Sequence, residues 1–422
     1  MTMNTGETYE VKDMNLAEQG KKNIEWAESQ MGALLKIKER FERDKPLTGV
    51  RVGMALHITK ETAVLVRTLR AGGAEVSITG CNPLSTQDDV AAALAAEGVR
   101  IYGYKGETNE DYYRYLNQII EFKPHVTIDD GCDLVTEIHN KHADLIPEIW
   151  GGCEETTTGI IRLKAMEKDN ALKYPIIAVN DNKTKHLTDN YYGTGQSTLD
   201  GIMRASNILF AGQTLVVAGY GSCGKGIAMR GKGLGSNVIV TEINPFRALQ
   251  AALDGHRVMP MSEAAKIGNI FITVTGNKGV IRVEHMKEMP TGAIIANSGH
   301  FDVEIDLKGL KEAASNRRNI REFLDEYTLD GKKIFVGGDG RLINLAAAEG
   351  HPSSIMSMSF CGQALAVEHI VKNKGNMKPK VIQLADEIDD EISRLQLDTM
   401  SIKIDKITEE QIKYMSSWQE GT

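Results

Sequence analysis

A chain of 422 residues that is 41% hydrophobic and 25% charged carries enough apolar material for more than one core, so two or three domains are expected. Its formal net charge of -8 comes from acids and bases dispersed along the chain, which argues against a nucleic-acid or anionic-membrane surface and favours work on small molecules. No apolar run approaches the roughly 20 residues of a membrane span, and the start MTMNTGETYEVKD lacks a charged segment followed by an apolar one, so a cytoplasmic address is expected.

From Val50 onward, strand-like and helix-like segments alternate. VRVGMALH, AEVSITG, VRIYGYKG and PHVTIDDG have the look of short buried strands, and ETAVLVRTLRAGG, DDVAAALAAEG and EDYYRYLNQIIEFK between them have helical apolar spacing. Such alternation predicts a parallel sheet with helices on both faces, whose ligands bind beyond the carboxyl ends of the strands. His57, Asn82, Asp129 and Asp130 fall at those ends. For the two aspartates, DDG is also an ordinary turn sequence. The pair His139 and His142 has no third ligand nearby, and the five cysteines form no CxxC, so no metal site and no disulfide are expected.

Further on, Glu154 and Glu155 precede three threonines at the start of a helical run, where hydroxyls and free N–H groups gather. YPIIAVND then ends a strand and opens into NKTKHLTDNYYGTGQS, a polar connection with Lys185, Asp189 and Asn190. The second unit begins near Gln213. The strand TLVVA runs into GYGSCGKG and a helix, then into NVIVTEIN, whose Glu242 lies about 18 residues beyond Gly224. This is the layout of a dinucleotide site: small residues let backbone N–H groups approach a pyrophosphate, and the acid takes the adenosine ribose hydroxyls. A carboxylate there repels a 2′-phosphate, so NAD is favoured over NADP. NIFITVTGN and GAIIANSGH continue the sheet and bring Thr275, Asn277 and His300 to its carboxyl edge. SSIMSMSFCGQALAVEHIVKN reads as a core-packing helix, and the charged helical end reads as an arm lying on a partner subunit or on the body.

Over nearly its whole length the chain resembles the S-adenosylhomocysteine hydrolases. The resemblance is carried by NLAEQG, ALHITKETAVL, GCNPLSTQDD, DDGCDL, EETTTG, NDNKTKHLTDNYYGTGQS, GYGSCGKG, NSGHFDVEI and GRLINLAAAEGHPSSIMSMSF. It implies two doubly wound Rossmann-like domains and a small helical arm: a substrate domain at 1–189 with 352–378, an NAD domain at 190–351, and an oligomerisation arm at 379–422. It also implies a homotetramer with tightly held NAD and small-molecule substrates. In this family the ribose 3′-hydroxyl is transiently oxidised, which acidifies C4′; homocysteine is eliminated from C5′, water adds, and the hydride returns.

By resemblance, Lys185 and Asp189 arrange proton removal from the 3′-hydroxyl, the lysine with a depressed pKa, and Glu155 holds the ribose hydroxyls. Asp130, His57 and His300 match acid/base groups near C4′ and C5′. Asn190 matches a residue at the hydride-transfer site. Thr156, Thr157 and Thr158 match a bridge to NAD, and Gly219, Gly221, Ser222, Cys223, Gly224, Glu242, Asn277, Ser298, Gly299, His300 and Asn344 match cofactor contacts. Thr59 and Glu61 match purine-facing positions, with His351 beside them at the hinge. Thr194 stands where many relatives have cysteine, the end SWQEGT lacks the tail of longer relatives, Arg247 replaces an asparagine, and Glu349 replaces a methionine near the purine. Adenine is the favoured base through Glu61. S-inosylhomocysteine is the alternative, and a non-catalytic NAD- and adenosine-binding regulator is a reading from another class.

Overall fold

Buried strands rich in branched residues, each followed by a helix, build two separate sheets. In the computed structural model, which describes residues 3–419, the first sheet holds Arg51–Ala55, Glu75–Thr79, Arg100–Tyr102, Val126–Asp129, Gly151–Glu154 and Ile176–Ala178. All of their pairings are parallel. The spatial order runs from the third of these strands back to the first, then jumps to the fourth and onward. Helices on both faces bury two apolar clusters against it.

The second sheet repeats the plan with Thr214–Ala218, Asn237–Thr241, Arg257–Val258, Ile270–Thr273 and Ala293–Asn297. Here the strand order reverses between Thr214–Ala218 and Ile270–Thr273. In a doubly wound sheet that reversal opens a crevice at the carboxyl ends. Each sheet therefore carries one: His57 and Asp130 follow the two strands that flank the first, and the glycine turn and Thr275 flank the second. The second sheet is also extended by Lys332–Gly337, Leu324–Leu329 and Asn316–Arg321, the last two pairings antiparallel. Residues 316–337 fall outside the segments expected as strands: NRRNIR is exposed at all six positions and has no apolar face, whereas Leu324–Leu329 is buried at five of its six.

Helix Ser353–Lys372 returns the chain to the first unit and packs on Gly32–Asp44 and Lys60–Ala71. Residues 381–399, expected in the arm, lie on the same unit. Val381–Ile382 pairs with Ile176–Ala178, and helix Asp386–Thr399 buries Ile392 completely. Asp389 on that helix accepts from the backbone N–H groups of Lys183 and Thr184 at 2.7 and 3.1 Å. Only beyond Thr399 is the apolar content exposed, at Met400, Ile402, Ile404, Ile407, Ile412, Tyr414, Met415 and Trp418. Among the described residues no helix is long and apolar enough to cross a membrane.

One buried acid gives the fold a pH dependence. Glu107, just past strand Arg100–Tyr102, is 5% exposed, and neither carboxylate oxygen has a hydrogen-bond partner among the described residues. Burial, only partly offset by the Tyr104 backbone, pushes it up to about 8. Between its ordinary value and about 8 only the unfolded chain ionises at this position, so its contribution to stability falls as pH rises through that window. Glu107→Gln is expected to stabilise the protein by about 1–3 kcal/mol near pH 7.5 and to change little near pH 4. Thermal melts at the two pH values check this; an equal shift at both would assign the effect to packing.

Candidate active site

A cavity of about 1690 Å³ lies between the carboxyl edges of the two sheets. A pocket for one drug-sized ligand occupies roughly 300–1,000 Å³, so this cleft has room for a dinucleotide and a nucleoside side by side. Residues expected at the site line it from both units: His57, Thr59, Glu61, Asp130, Glu155, Thr156, Thr157, Thr158, Lys185, Asp189, Asn190 and His351 from the substrate half and the hinge, and Gly219, Gly221, Ser222, Cys223, Glu242, Asn277, Ser298, Gly299, His300 and Asn344 from the other.

On the cofactor side, Gly219 has φ +106°, and a Cβ there would meet the Val274 carbonyl at 2.9 Å. Gly224 is the exception to the expected contacts. It is absent from the cleft wall, and a Cβ on it would sit 2.0 Å from the Gly219 carbonyl, so its part is to let helix Ser222–Gly233 press against the turn. That helix has no side-chain cap, and its first residues line the cleft, which leaves N–H groups and the positive end of the dipole for a phosphate. A Cβ on Gly221 would meet only Arg247 Nη1, at 3.8 Å, so the cradle over the turn is open. Glu242 is fixed by accepting from Tyr220, Ile243 and Asn244 N–H at 2.7, 2.8 and 2.9 Å. Asn344 donates to Ser197 Oγ at 3.3 Å while its Oδ1 has no partner among the described residues. A buried amide oxygen without a donor, an open glycine cradle and a fixed carboxylate are what NAD requires at its carboxamide, pyrophosphate and ribose.

On the substrate side a chain of charges is buried. Lys185 Nζ lies 2.8 Å from Asp189 Oδ2, 2.7 Å from Asn190 Oδ1 and 3.9 Å from Glu155 Oε1. Asp189 is also bound by His351 Nδ1, and Glu155 accepts from Ser359 Oγ and Gln363 Nε2. Burial works against the lysine's charge, yet Asp189 and Glu155 outweigh it, and Lys185 is raised. The expected depressed lysine is thus corrected: between two carboxylates it is held as an ammonium. Burial raises Glu155 too, and Lys185 only partly offsets this, leaving it at about 7. Asp189 is lowered because His351 and Lys185 together exceed its burial penalty.

The second cluster sits at the crevice of the first sheet. His57 Nε2 is 3.4 Å from Asp130 Oδ2, and His300 Nδ1 is 3.6 Å from Asp130 Oδ1, so the two imidazoles approach one carboxylate from opposite halves of the molecule. His57 Nδ1 lies 2.7 Å from Ser85 Oγ and 3.2 Å from Cys81 Sγ. Burial lowers His57 to about 4 despite Asp130, so it is neutral near pH 7. The DDG pair divides its labour: Asp129 accepts from Asp130 and Val135 N–H and builds the turn, while Asp130 faces the cleft. Nor do the threonines cap their helix. Thr156 makes no side-chain cap, and Glu154 accepts from Gly131 and Thr156 N–H instead, which leaves the Thr156 and Thr158 hydroxyls for the cleft, while Thr157 Oγ1 accepts from the Asn180 amide at 3.1 Å.

At the hinge end, Glu61 is 2% exposed and accepts from Ser353 Oγ at 2.5 Å. Lys60 Nζ lies 3.4 Å from Glu61 and 2.9 Å from Glu349, and Arg204 lies 3.0 Å from Glu349. Ser353, Ser359 and Gln363, which position the two glutamates, escaped the sequence reading. They are polar residues on helix Ser353–Lys372, whose small and apolar residues speak for core, and what marks them is their hydrogen bonds to Glu61 and Glu155.

Comparison with known proteins places the chain in one family. The family model described as S-adenosyl-L-homocysteine hydrolase matches residues 8–144, and the one described as S-adenosyl-L-homocysteine hydrolase, NAD binding domain, matches residues 190–350. The chain is 57% identical over 414 residues to the S-inosyl-L-homocysteine hydrolase of Methanocaldococcus jannaschii, covering 98% of this chain and 100% of that protein. It is 56% identical over 417 residues to the adenosylhomocysteinase of Saccharolobus solfataricus and 56% identical over 416 residues to that of Aquifex aeolicus, with the same coverage in each.

Proposed function

This chain belongs to the S-adenosyl-L-homocysteine hydrolase family, and on that premise we propose the role of each residue around its substrate. The protein is an NAD-dependent hydrolase that reversibly splits a nucleosylhomocysteine into nucleoside and homocysteine. NAD, when bound, supplies a reversible hydride acceptor for C3′ of the ribose. Glu155, at about 7, is matched to take the O3′ proton at neutral pH, and the Lys185 ammonium stabilises the negative charge growing on that oxygen. Asp189 and His351 hold the lysine in place, and Asn190 fixes its remaining direction.

With C3′ at the ketone level the C4′ proton is acidic, and its removal expels the C5′ sulfur as a thiolate. Neutral His57 takes or returns a proton at Nε2, Asp130 orients it, and His300 completes the group around C4′, C5′ and the adding water. Asp130, His57 and His300 come from both halves, so this group is complete only when substrate domain 1–189 with 352–378 and NAD domain 190–351 are closed on each other. Closure admits one positioned water in place of bulk solvent.

For the base we propose adenine, with S-adenosyl-L-homocysteine as substrate. Buried Glu61 accepts from the N6 amino group, whereas hypoxanthine would present the O6 lone pair. Glu349, the carboxylate that an N1–H would need, is engaged by Lys60 and Arg204. The reading as a whole is carried by one observation: six titratable groups, His57, Asp130, Glu155, Lys185, Asp189 and His300, line the same cleft as an uncapped glycine-turn helix. A binding regulator would need the pocket and not these groups. The test is chromatography of products, with titration of released thiol, after NAD-loaded protein meets S-adenosylhomocysteine or S-inosylhomocysteine without added cofactor. Adenosine is expected to form faster, and Glu61→Gln to shrink the adenosyl-to-inosyl rate ratio by about 10-fold. An unchanged ratio sinks the assignment of Glu61, and no thiol from either substrate sinks the enzyme reading.

We also propose a homotetramer in the cytoplasm. The exposed apolar residues from Met400 to Trp418 support subunit contact. Light scattering that gave a single-chain mass would refute it.

A further inference from the structure

Two histidines on the cleft wall, His186 and His285, have no part in the assignment above, and His186 is the one beside the reacting groups. His186 ends the short helix Lys183–His186 and stands between the lysine segment and the glycine turn. Its Nε2 is 3.1 Å from Oγ of Ser222, the first residue of the glycine-turn helix, and its Nδ1 is 3.2 Å from Asn190 Nδ2. The direction of each hydrogen bond follows from the lysine. An ammonium only donates, so Asn190 turns Oδ1 toward Lys185 at 2.7 Å, and its Nδ2 protons go to His186 and to Asn180 Oδ1 at 3.3 Å. His186 Nδ1 therefore accepts. A neutral ring that accepts at Nδ1 carries its proton on Nε2, where it donates to Ser222 Oγ.

We propose that His186 is a positioning residue for the hydride-transfer step: in its neutral form it holds the Asn190 amide, and through it Lys185, and ties both to the cofactor turn at Ser222. The proposal rests on the reading of Lys185 as the group at O3′. It crosses the two halves of the molecule, since His186 precedes the expected boundary at 189 and Ser222 lies in the NAD domain. The arrangement has a built-in pH limit. A proton added at Nδ1 would set N–H against N–H, so the amide must turn over and present Nδ2 to the lysine, or move away. Lys185 and Asp189 from the same segment, Asp181 from the preceding turn and Arg247 from helix Pro245–Leu253 all act on the ring. Burial first, and then the two cations, outweigh the two acids and keep it neutral near pH 7.

The experiment follows the rise of reduced-nicotinamide absorbance after full-length, NAD-loaded enzyme is mixed with adenosine, at about pH 5 to 8. Wild type is compared with His186→Ala, His186→Gln and Lys185→Met. A glutamine accepts and donates at the same two places but does not titrate. His186→Ala is expected to slow the step about 10-fold with KM for adenosine within about twofold, since loss of positioning acts on the rate. His186→Gln is expected to recover to within about threefold of wild type and to lose one acid-side inflection. The proposal is overturned if His186→Ala is as fast as wild type, or if the His186→Gln pH profile superimposes on the wild-type profile. If Lys185→Met is also as fast as wild type, the reading of Lys185 itself has failed.

Discussion

Lys185→Met is expected to lower the rate of 3′-oxidation by about 10³-fold while the variant still binds adenosine within a few-fold of wild type. Among the described residues the lysine is the only cation within 4 Å of both Glu155 and Asp189, and it is held charged where we propose that the O3′ oxyanion forms. Methionine keeps the stem's volume and removes that charge. It also leaves Asp189 buried with His351 as its remaining side-chain partner, and stripping one member from a buried pair costs about 3–5 kcal/mol. Stability must therefore be separated from chemistry. Retained NAD and a cooperative melt establish that the variant is folded, and stopped-flow absorbance of the reduced cofactor then reads the chemical step. A folded, loaded Lys185→Met enzyme within tenfold of wild type would refute the electrostatic role.

Glu155→Gln is expected to cost about 10²-fold and, more tellingly, to change the pH profile. In the wild type the rate of oxidation should rise through about pH 7 as Glu155 loses its proton, because a base acts only when deprotonated. Glutamine cannot titrate, so that rise should vanish and leave a low, flatter profile. The substitution keeps an acceptor for one of the two donors, Ser359 and Gln363, and the other meets an amide N–H. A cost of about 1–2 kcal/mol in stability follows, too little to unfold the protein. Should the variant keep the wild-type rise through neutral pH, the proton acceptor lies elsewhere and Lys185 would have to shed its proton on closure.

Much of this molecule was legible in its residues because the relevant signals are local. TLVVA, the glycine turn, the following helix and Glu242 lie within about 30 residues, and the physics linking them is that of one strand-turn-helix unit. The same holds for His57 and Asp130, each at the end of an apolar strand and hence at a carboxyl edge. What the sequence by itself determined was therefore the two doubly wound sheets, the kind of cofactor and, through the resemblance, many of the residues on the cleft wall.

Tertiary structure decided what those residues are. Whether Lys185 is a base or a fixed cation depends on two carboxylates brought within 4 Å of it in a place without solvent, and the balance of burial against that attraction has no counterpart along the chain. Likewise the value near 7 for Glu155 comes from burial, which the Lys185 charge and the hydrogen bonds from Ser359 and Gln363, about 200 residues away in sequence, only partly offset. That Gly224 lies outside the cleft wall, and that residues 381–399 take the body from the two places open to the arm, has a related reason. A close approach of two backbones, or one buried face on a charged helix, is a fact about neighbours, and neighbours in space are what the order of residues leaves open.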